Sequence, residues 1–451
     1  MAVRHGVSDP VAVYHALLEN DGLAAASIGV LQDGQREKRL VFGERPVSIT
    51  LRPQLVSARR YRDAVDASQT IYTALGRLEE AILADAALRA ELDLEPEEER
   101  LALADPGCDS SSTSSRIDGF LTDRLRYVEY NAESPAGMAY ADTLTGVFER
   151  LPVMRAFRKR FRLRALPTRV RQLGAMLRAF RQWGGARTPV IAIVDWGGLP
   201  TTVEFEMFRD YFRSRGVKTV ICDPRAMEFR RGRLYADGTP VNLVYRRVLT
   251  SELLAKGMEA AALRDAYLAG AACVLNTFRA KLLHKKMSLA LLSDTRYASF
   301  YTPEQRLAIA RHVPWTRKVR QGASTRGDRP IRDLATYIAE HRGELVLKPN
   351  DEYGGKGVVL GWTVPQPEWE RALAAALDEP FVVQERVPVP RERFPVALDG
   401  LKFLELAMDM NPYLFDGRAA GCLSRLSSSA LLNVTSGAGS VAPTYVVEGP
   451  A

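Results

Sequence analysis

The chain has 451 residues, of which 46% are hydrophobic and 26% are charged. This length favours two or three domains, and this composition is typical of a globular protein rather than a disordered or fibrous one. The net charge is +8, and only 11 of the 62 basic residues are lysines. A basic chain favours anionic partners, so nucleic acid, acidic lipid and phosphorylated small molecules all stay open at this point.

Signals for export and membrane insertion are missing from the sequence. The first residues hold no apolar core followed by a small-residue cleavage site, and no apolar run reaches about 18 residues. The four cysteines lie far apart and form no zinc-binding spacing, so we interpret them as small buried side chains in a reducing compartment. We therefore expect a cytoplasmic protein that does not span a membrane.

The N-terminal region is predicted to be helical. Apolar residues recur at spacings of three and four through residues 71–92, and a loop rich in Pro, Gly and Ser at 105–115 ends the region. From residue 116 the pattern changes. The segment RIDGFLTDRLRYVEYNAESPAG alternates apolar and polar residues on both sides of a short break, which predicts two paired strands. Residues 138–183 return to a helical spacing with many arginines.

An α/β unit follows. Residues 188–196 form a predicted buried strand, a Gly-Gly turn leads into an amphipathic helix at 202–216, and a second strand covers 217–224. This order predicts a parallel pair of strands with a right-handed crossover. Residues 234–248 then predict a hairpin about Asp237-Gly238 and a strand that ends in paired arginines.

The last third is predicted to be rich in strands. Residues 344–350 and 357–362 form two strands joined by a glycine-rich turn, and a helix at 368–379 precedes a strand at 381–387. Residues 400–427 are typical of a β-meander, in which consecutive strands pair with each other.

The glycine-rich segment LVLKPNDEYGGKGVVLG at 345–361 carries the strongest local signal for a ligand. Glycines surround Lys356, and Lys348 lies on the entering strand. A glycine turn lets backbone N–H groups approach an anion closely, and the two ammonium groups add positive charge. The segment is not a P-loop, because Lys356 is followed by a glycine and a strand. Spacing alone leaves phosphate binding and an ordinary hairpin turn with a solvated lysine equally open.

A second group of polar residues lies on the two predicted strands after residue 115. Alternation places Arg116 and Asp118 on one face of the first strand, and Glu129 and Asn131 on one face of the second. If the strands pair, two carboxylates and an amide oxygen meet an arginine. Such oxygen donors suit Mg²⁺, and arginine can stabilise a transferred phosphoryl group. On these residues alone, an ordinary surface ladder of charge pairs is the preferred interpretation.

The segment FVVQERV is an apolar strand that becomes polar at Gln384, Glu385 and Arg386. Such a strand end suits a backbone that hydrogen-bonds a flat ligand. Taken alone, the pattern is better explained by a strand that reaches the protein surface.

Together these segments resemble circularly permuted ATP-grasp ligases, namely the type-2 branch and the synthetase domain of glutathionylspermidine synthase. The residues that carry the resemblance are KPNDEYGGKGVVLG, FVVQERV, RID followed by VEYNAESPAG, and the terminal RLSSSALLNVTSGAG. The acidic residues precede the phosphate loop by more than two hundred residues, which is the permuted order. The resemblance covers most of residues 111–445.

The resemblance implies an α/β (α+β) protein. In this chain the permuted ATP-grasp fold would contain an inserted Rossmann-like pre-ATP-grasp domain and would follow an N-terminal helical region. The implied division is an N-terminal helical region at 1–110, a first ATP-grasp part with metal-binding strands and basic helices at 111–186, the pre-ATP-grasp domain at 187–275, and the nucleotide-binding part at 276–451.

The resemblance also implies roles for individual residues. Asp118, Glu129 and Asn131 match magnesium positions, and Arg116 matches a catalytic arginine. The residues that match contacts to the ATP phosphates are Lys286, Lys348, Gly354, Gly355, Lys356 and Gly357, with Lys285 the second choice beside Lys286. The residues that match the hinge for adenine are Gln384, Glu385 and Val387. A further match concerns residues of the pre-ATP-grasp domain that would face the acid or its phosphate, namely Gly197, Gly198, Tyr245, Arg246 and Arg247.

The chain departs from the glutathionylspermidine synthase motif just after the metal positions. That motif reads NAD before a TP pair, whereas this chain reads Asn131-Ala132-Glu133-Ser134-Pro135. The cysteine amidase domain that accompanies the synthetase domain in glutathionylspermidine synthase is not evident in this sequence. The metal positions are kept, but the identity of the acid and the amine does not follow from the sequence.

These expectations describe an ATP-dependent, Mg²⁺-dependent carboxylate–amine ligase that forms an amide or peptide bond through an acyl phosphate and releases ADP. Its partners would be a small-molecule or peptide carboxylate and an amine. A non-catalytic, nucleotide-binding scaffold is one alternative. Another is nucleic-acid binding through residues 155–187, which hold eleven basic residues, although we interpret this segment as an amphipathic helix pair with a solvated basic face. His284 has no evident partner for proton transfer and is predicted to lie on a helix surface.

Overall fold

A computed structural model describes residues 9–43, 45–429 and 439–451. Most of the terminal segment RLSSSALLNVTSGAG, including Asn433-Val434-Thr435, therefore lies outside the described residues. In the described part the α-helices are α1 (Pro10–Leu18), α2 (Asp21–Glu37), α3 (Ala58–Ala84), α4 (Ala86–Ala90), α5 (Pro96–Leu103), α6 (Met138–Phe148), α7 (Pro152–Arg158), α8 (Arg169–Gln182), α9 (Thr202–Ser214), α10 (Thr250–Ala255), α11 (Ala261–Leu268), α12 (Lys281–His284), α13 (Met287–Leu292), α14 (Pro303–His312), α15 (Leu334–Glu340) and α16 (Gln366–Asp378).

The strands of the same residues are β1 (Val41–Phe42), β2 (Arg45–Pro46), β3 (Gln54–Ser57), β4 (Ser114–Leu121), β5 (Leu125–Asn131), β6 (Phe161–Ala165), β7 (Ile191–Val194), β8 (Thr219–Cys222), β9 (Met227–Arg230), β10 (Arg233–Ala236), β11 (Thr239–Val241), β12 (Leu243–Arg246), β13 (Cys273–Leu275), β14 (Thr316–Lys318), β15 (Ser324–Arg326), β16 (Arg329–Ile331), β17 (Leu345–Pro349), β18 (Val359–Leu360), β19 (Phe381–Glu385), β20 (Arg391–Ala397), β21 (Leu401–Met408), β22 (Asn411–Phe415), β23 (Arg418–Ser427), β24 (Ser440–Ala442) and β25 (Thr444–Pro450). Short 3₁₀ helices cover Pro224–Ala226, Gly257–Ala260, Phe278–Ala280, Thr295–Phe300, Arg342–Glu344 and Gly361–Thr363.

A large antiparallel sheet forms the centre of the molecule. Its strand order is β20-β21-β23-β22-β4-β5, and β24 pairs with β23. The predicted pairing of the two strands after residue 115 is confirmed, with Asp118 opposite Glu129 and Arg116 opposite Asn131. The register shifts at Gly119, where a Cβ atom would lie 2.6 Å from the backbone oxygen of Arg126. A glycine is therefore required at this bend.

The predicted α/β unit is also confirmed. Strands β7 and β8 are parallel, α9 connects them, and the complete parallel sheet has the order β13-β12-β7-β8. The predicted hairpin about Asp237-Gly238 joins β10 to β11. All four residues of β7 are buried, because helices cover both faces of a parallel sheet.

A small sheet of order β14-β19-β17-β18 holds the glycine-rich segment. Its antiparallel strands β17 and β19 place Lys348 opposite Val382 and Val346 opposite Gln384. The amphipathic helix α16 packs on one face through the fully buried Trp369. The second predicted strand of this segment is only two residues long, because the chain enters a 3₁₀ helix at Gly361.

The sequence predictions for residues 155–187 and 400–427 are wrong. Residues 155–187 are not simply a helix pair, because β6 lies between α7 and α8, with Phe161 and Leu163 buried and Arg162 and Arg164 exposed. Residues 400–427 are not a simple meander either. Strand β21 pairs with β23 rather than with β22, because the chain crosses over at Met410, whose amide donates to the oxygen of Gly119.

The N-terminal region is not an isolated helical unit. Its strand β3 pairs in parallel with β25, which also pairs with β6. The long helix α3 contributes nine buried residues and packs against β22, β23 and α14. The described residues of the N-terminal region therefore share hydrophobic cores with the rest of the chain.

Three of the four cysteines are buried and all four are free thiols, as expected for small buried side chains. Among the helices of the described segments, none combines the length and apolar character of a membrane span.

Candidate active site

A cleft between the large antiparallel sheet and the small sheet collects most of the predicted site residues. Strands β4 and β5 form one wall, β17 and β19 form the other, and the glycine-rich turn after β17 borders the opening. The predicted residues that line the cleft are Arg116, Asp118, Glu129, Asn131, Lys286, Lys348, Gly354, Gly355, Gln384, Glu385 and Val387. Residues separated by more than two hundred positions in the chain thus face one space.

Asp118 is buried between two arginines. Arg116 donates to both of its carboxylate oxygens, at 2.6 Å from Nε and 3.0 Å from Nη2, and Arg425 donates from Nη2 at 2.8 Å. Burial raises the pKa of Asp118, but the charges of Arg116 and Arg425 outweigh burial and hold the pKa below its ordinary value. Asp118 is therefore ionised at neutral pH.

Glu129 lies opposite Asp118 and faces a lysine. Its Oε1 is 3.1 Å from Nζ of Lys286, which also donates to the backbone oxygen of Glu352. Burial raises the pKa of Glu129, and the neighbouring lysine charge more than offsets this, so the pKa falls below its ordinary value. Two ionised carboxylates thus stand side by side across the β4–β5 pair.

Asn131 completes the predicted metal set at the end of β5. Within the described residues its Nδ2 is buried and has no hydrogen-bond partner. In those same segments, no three His, Cys, Asp or Glu side chains converge in a way that could hold a metal ion. The predicted set instead offers two carboxylates and an amide, and oxygen donors of this kind fit Mg²⁺ when substrate phosphates and water supply the other ligands.

Lys348 points from β17 into the cleft. Its Nζ donates to the oxygen of Val128 at 2.9 Å and to Oε1 of Gln384 at 2.7 Å. Burial lowers the pKa of Lys348 to about 8, in spite of the nearby carboxylate of Glu129. The ammonium group is thus charged at neutral pH, and the charge of Glu129 only partly offsets the cost of burying it. A buried cation of this kind in a cleft is typical of a site that binds an anion.

The end of β19 forms the far side of the cleft. Gln384 is buried and donates from Nε2 to Oγ1 of Thr316. The carboxylate of Glu385 pairs with Arg326 at 2.8 Å and with Arg126 at 3.3 Å, and its backbone N–H donates to the oxygen of Trp315. The backbone N–H of Glu385 is therefore already used within the protein.

The glycine-rich turn contains three glycines with positive φ. Gly354 and Gly355 line the cleft, whereas Gly357 packs against Pro349, where a Cβ atom would lie 2.6 Å from the proline ring. Lys356 is exposed and pairs with Glu352 at 2.8 Å, so it lies outside the cleft walls. The structure therefore brings two of the three glycines, but not Lys356, to the cleft.

Two functional candidates were missed by the sequence reasoning. Asp409 is buried beside the cleft and accepts hydrogen bonds from the backbone N and Nε of Arg425, both at 2.6 Å. Because Arg425 also holds Asp118, a continuous chain of charges runs from Arg116 to Asp409. Arg425 opens the terminal RLSSS motif and could have been noticed there, whereas Asp409 belongs to no recognisable motif.

The predicted substrate residues of the parallel sheet lie away from this cleft. Gly197 and Gly198 are exposed in the turn after β7, and the Gly197 amide donates to Oδ2 of Asp223. Tyr245 is buried, and its hydroxyl accepts from Arg247, which also donates to the oxygen of Pro135 at 2.8 Å. Arg247 thus connects the parallel sheet to the loop that follows β5.

Arg246 requires a correction. It is fully buried, its Nε donates to the oxygen of Asn276, its Nη2 donates to that of Thr277, and its Nη1 pairs with Glu133 at 3.0 Å. All its nitrogens are used within the protein, so Arg246 does not face a substrate. Glu133, the residue that departs from the family motif, is buried as its partner.

His284 also differs from its prediction. It is only 7% exposed and therefore does not lie on a helix surface. Its Nε2 is 3.8 Å from Oε2 of Glu133. Burial lowers its pKa below the ordinary value. The two lysines after it diverge: Lys286 reaches the cleft, whereas Nζ of Lys285 lies 2.9 Å from Glu98 of the N-terminal region.

Comparison with known proteins gives a fold relationship. No protein-family model and no curated protein sequence matches the chain. A solved glutathione synthetase-like effector from Globodera pallida, in its apo form, is similar with a TM-score of 0.58 and 13% identity over 99% of this chain and 100% of the effector. A putative gamma-glutamylcysteine synthetase from Methylobacillus flagellatus gives a TM-score of 0.42 and 12% identity over 84% of this chain and 85% of that protein.

The TM-score of 0.58 with the effector supports a shared fold. The similarity extends over nearly the whole chain, including the N-terminal region that the sequence motifs do not cover. At this identity it establishes architecture rather than activity. The chain is a mixed α/β protein that shares its fold with this glutathione synthetase-like effector.

Proposed function

We propose that the protein is an ATP-dependent carboxylate–amine ligase that releases ADP. The observation that carries this proposal is the cleft itself, where the carboxylates and amide of β4 and β5 face the lysines and glycine turn around β17. Phosphoryl-transfer sites need such an arrangement, because their catalysis consists mainly of positioning and charge neutralisation. The fold shared with a glutathione synthetase-like effector supports it.

In this proposal ATP lies along the small sheet. Adenine contacts the end of β19 near Gln384, Glu385 and Val387, and the phosphates extend toward Lys348 and Lys286. The N–H groups of the turn at Gly354 and Gly355 border the same space. Lys356, which the resemblance assigned to the phosphates, is exposed and would reach them only if the turn moved.

Asp118, Glu129 and Asn131 would hold Mg²⁺. Two carboxylates and an amide oxygen make up this donor set, and hard oxygen donors of this kind suit the ion. When bound, Mg²⁺ neutralises phosphate charge. Arg116 and Lys286, which now pair with the two carboxylates, are placed to turn toward the phosphates instead.

The chemistry follows from these placements. An oxygen of the acid attacks the γ-phosphorus of ATP, and the bond to the β–γ bridging oxygen breaks, giving an acyl phosphate and ADP. The amine then attacks the acyl carbon, phosphate leaves, and the ammonium loses a proton to give an amide. Arg116 and Lys348 stabilise the charge on the transferred group. The acid and the amine are small molecules or short peptides.

The permuted architecture belongs to the same proposal. The acidic strands β4 and β5 precede the phosphate turn in the chain, as in the permuted ATP-grasp order. The proposed parts are residues 1–110, 111–186, 187–275 and 276–451, with the parallel sheet of the third part as the inserted pre-ATP-grasp domain.

Calorimetric titration with ATP in the presence and absence of Mg²⁺ tests the proposal, with the Asn131→Ala variant as the comparison. We expect Mg²⁺ to tighten ATP binding to the wild-type protein and to have little effect on the variant. A matched control is Asn242→Ala, at a residue that immediately precedes β12 and does not line the cleft. Equal Mg²⁺ dependence in Asn131→Ala and wild type would contradict the metal assignment, and saturable ATP binding that never leads to ADP release would instead favour a nucleotide-binding scaffold.

A further inference from the structure

A group of buried charges lies next to the cleft but outside its walls. It consists of Glu98, Glu133, Lys281, Lys285 and Asp351, which we call the buried charge cluster. Four of the five side chains are at most 5% exposed, and Lys281 is completely buried. Burying several charges is costly, so they are kept only where each is closely paired.

Lys281 is the centre of this cluster. Its Nζ donates to both carboxylate oxygens of Asp351 at 2.6 Å, and it lies 3.3 Å from Glu98 and 3.5 Å from Glu133. Burial lowers the pKa of Lys281, but the surrounding carboxylates more than offset this and raise it above its ordinary value. Lys281 is thus a permanent cation held by three carboxylates.

The partners of Lys281 come from distant parts of the chain. Glu98 lies on α5 of the N-terminal region, and Glu133 follows β5, which carries Glu129 and Asn131. Asp351 stands at the beginning of the glycine-rich turn, three residues before Gly354. One buried ammonium group therefore connects the N-terminal region, the carboxylate strand and the phosphate turn.

Neutral hydrogen bonds of Asn350 also fix the base of the turn. Asn350 is buried, donates from Nδ2 to the oxygen of Leu92 at 2.9 Å, and accepts at Oδ1 from the amide of Met287. Its backbone oxygen accepts from the amide of Lys286. Lys286 and the turn are thus held to one another as well as to the N-terminal region. We call these contacts, together with the Lys281–Asp351 pair, the anchor.

A second arm of this anchor reaches the small sheet. Oδ1 of Asp93 lies 2.6 Å from Nζ of Lys318 on β14, and the backbone oxygen of Asp93 accepts from Nζ of Lys285 at 2.9 Å. Residues 91–98 therefore contact the small sheet, the turn and the helix that carries Lys281. This gives the N-terminal region a direct mechanical connection to the cleft.

We propose that Lys281 and Asp351 are positioning residues, which hold the glycine-rich turn over the cleft so that its N–H groups meet the nucleotide phosphates. This inference rests on the proposed function, because it assumes that the turn binds phosphates. Lys281 does not line the cleft and is fully buried, so it acts through Asp351 rather than by touching ATP. The N-terminal region, by way of Glu98, is part of the nucleotide-binding unit.

The Asp351→Asn variant tests the anchor. The side chain is 24% exposed and asparagine has the same shape, so Lys281 keeps Glu98 and Glu133 as partners and the fold is preserved. We expect faster amide hydrogen exchange at residues 352–357 of the ligand-free variant and roughly tenfold weaker ATP binding. AMP affinity should stay unchanged, because the hinge at β19 is not disturbed.

The split between ATP and AMP separates positioning from a general loss of stability, which would weaken both nucleotides. The matched control is Asp378→Asn, an exposed carboxylate at the end of α16, which should change neither exchange nor affinity. A second variant, Lys281→Met, should accelerate exchange at the same turn. If the global unfolding of Lys281→Met obscures this effect, the Asp351→Asn result decides.

Two failures are distinguishable. If the wild-type protein binds no ATP, the proposed function is contradicted and the anchor loses its role in nucleotide binding. If the wild type binds ATP but Asp351→Asn shows unchanged exchange at residues 352–357, or equal weakening of ATP and AMP, then only the anchor is overturned.

Discussion

Replacing Lys348 by methionine should stabilise the ligand-free protein at pH 7 while weakening its binding of ATP. The ammonium group of Lys348 lies inside the cleft between β5 and β19, where its partners are the oxygens of Val128 and Gln384. Burial lowers the pKa of Lys348 from the ordinary value of 10.5 to about 8, so the folded protein binds this proton less strongly than the unfolded chain does. The charge of Lys348 therefore opposes folding.

The size of the effect follows from the same values. A pKa that falls from 10.5 to about 8 corresponds to a cost of about 3 kcal/mol for keeping the charge in the folded state. Methionine removes this cost but leaves two carbonyl oxygens without their donor, at about 1 kcal/mol each. We therefore expect the free energy of unfolding at pH 7 to rise by about 1 kcal/mol.

The pH dependence gives the sign a separate check. Below pH 8 Lys348 is charged in both states, and the full cost is present. As the pH rises from 8 toward 10.5, the folded protein loses the proton first and the cost disappears, so the wild type gains stability relative to the variant. Urea denaturation at pH 7 and pH 10 measures both values, with the exposed Lys402→Met as the control. A variant that is less stable than wild type by the same amount at both pH values would refute the reasoning.

Three other predictions concern buried groups. Asp118→Asn should lower the free energy of unfolding by about 3–5 kcal/mol in urea titrations, because it leaves Arg116 and Arg425 without their buried carboxylate; a change below about 1 kcal/mol would contradict the pairing. Asn131→Ala should change the free energy of unfolding by less than about 1 kcal/mol, because the buried Nδ2 has no partner among the described residues, and a larger loss would show that the amide is structural. Glu79→Gln should be more stable than wild type at pH 8 by up to about 3 kcal/mol, with the gain fading toward pH 4, because burial raises the pKa of Glu79 to about 7; a gain independent of pH would contradict this cause.

The sequence predicted the parts of the site that depend on local patterns. Alternation along β4 and β5 placed Arg116 and Asp118 on one face, and the structure pairs Asp118 with Glu129 across the strands. The glycine turn after Lys348 was evident from its composition. Periodicity also predicted β7, α9 and β8, because a buried parallel strand and an amphipathic helix leave strong signals.

What could not be predicted depends on contacts between distant residues. Asp409 belongs to no motif, and its place beside Asp118 follows only from the crossover after β21. Arg246 looked like a ligand-binding arginine at a strand end, but the buried Glu133 satisfies it from another sheet. Strand β6 was hidden among arginines, because a short amphipathic strand and a basic helix have similar composition. In each of these cases the structure depends on contacts between residues that are far apart in the chain, which local sequence patterns do not show.

The most direct test of the proposed ligase is a product assay. The protein is incubated with ATP, Mg²⁺, pooled carboxylates and pooled amines, and nucleotides and new masses are followed together. The account predicts ADP and phosphate in equal amounts, with a product whose mass is that of one acid plus one amine less one water, and no such product from the Lys348→Met variant. Release of AMP and pyrophosphate, or a condensed product at an undiminished rate from Lys348→Met, would contradict it.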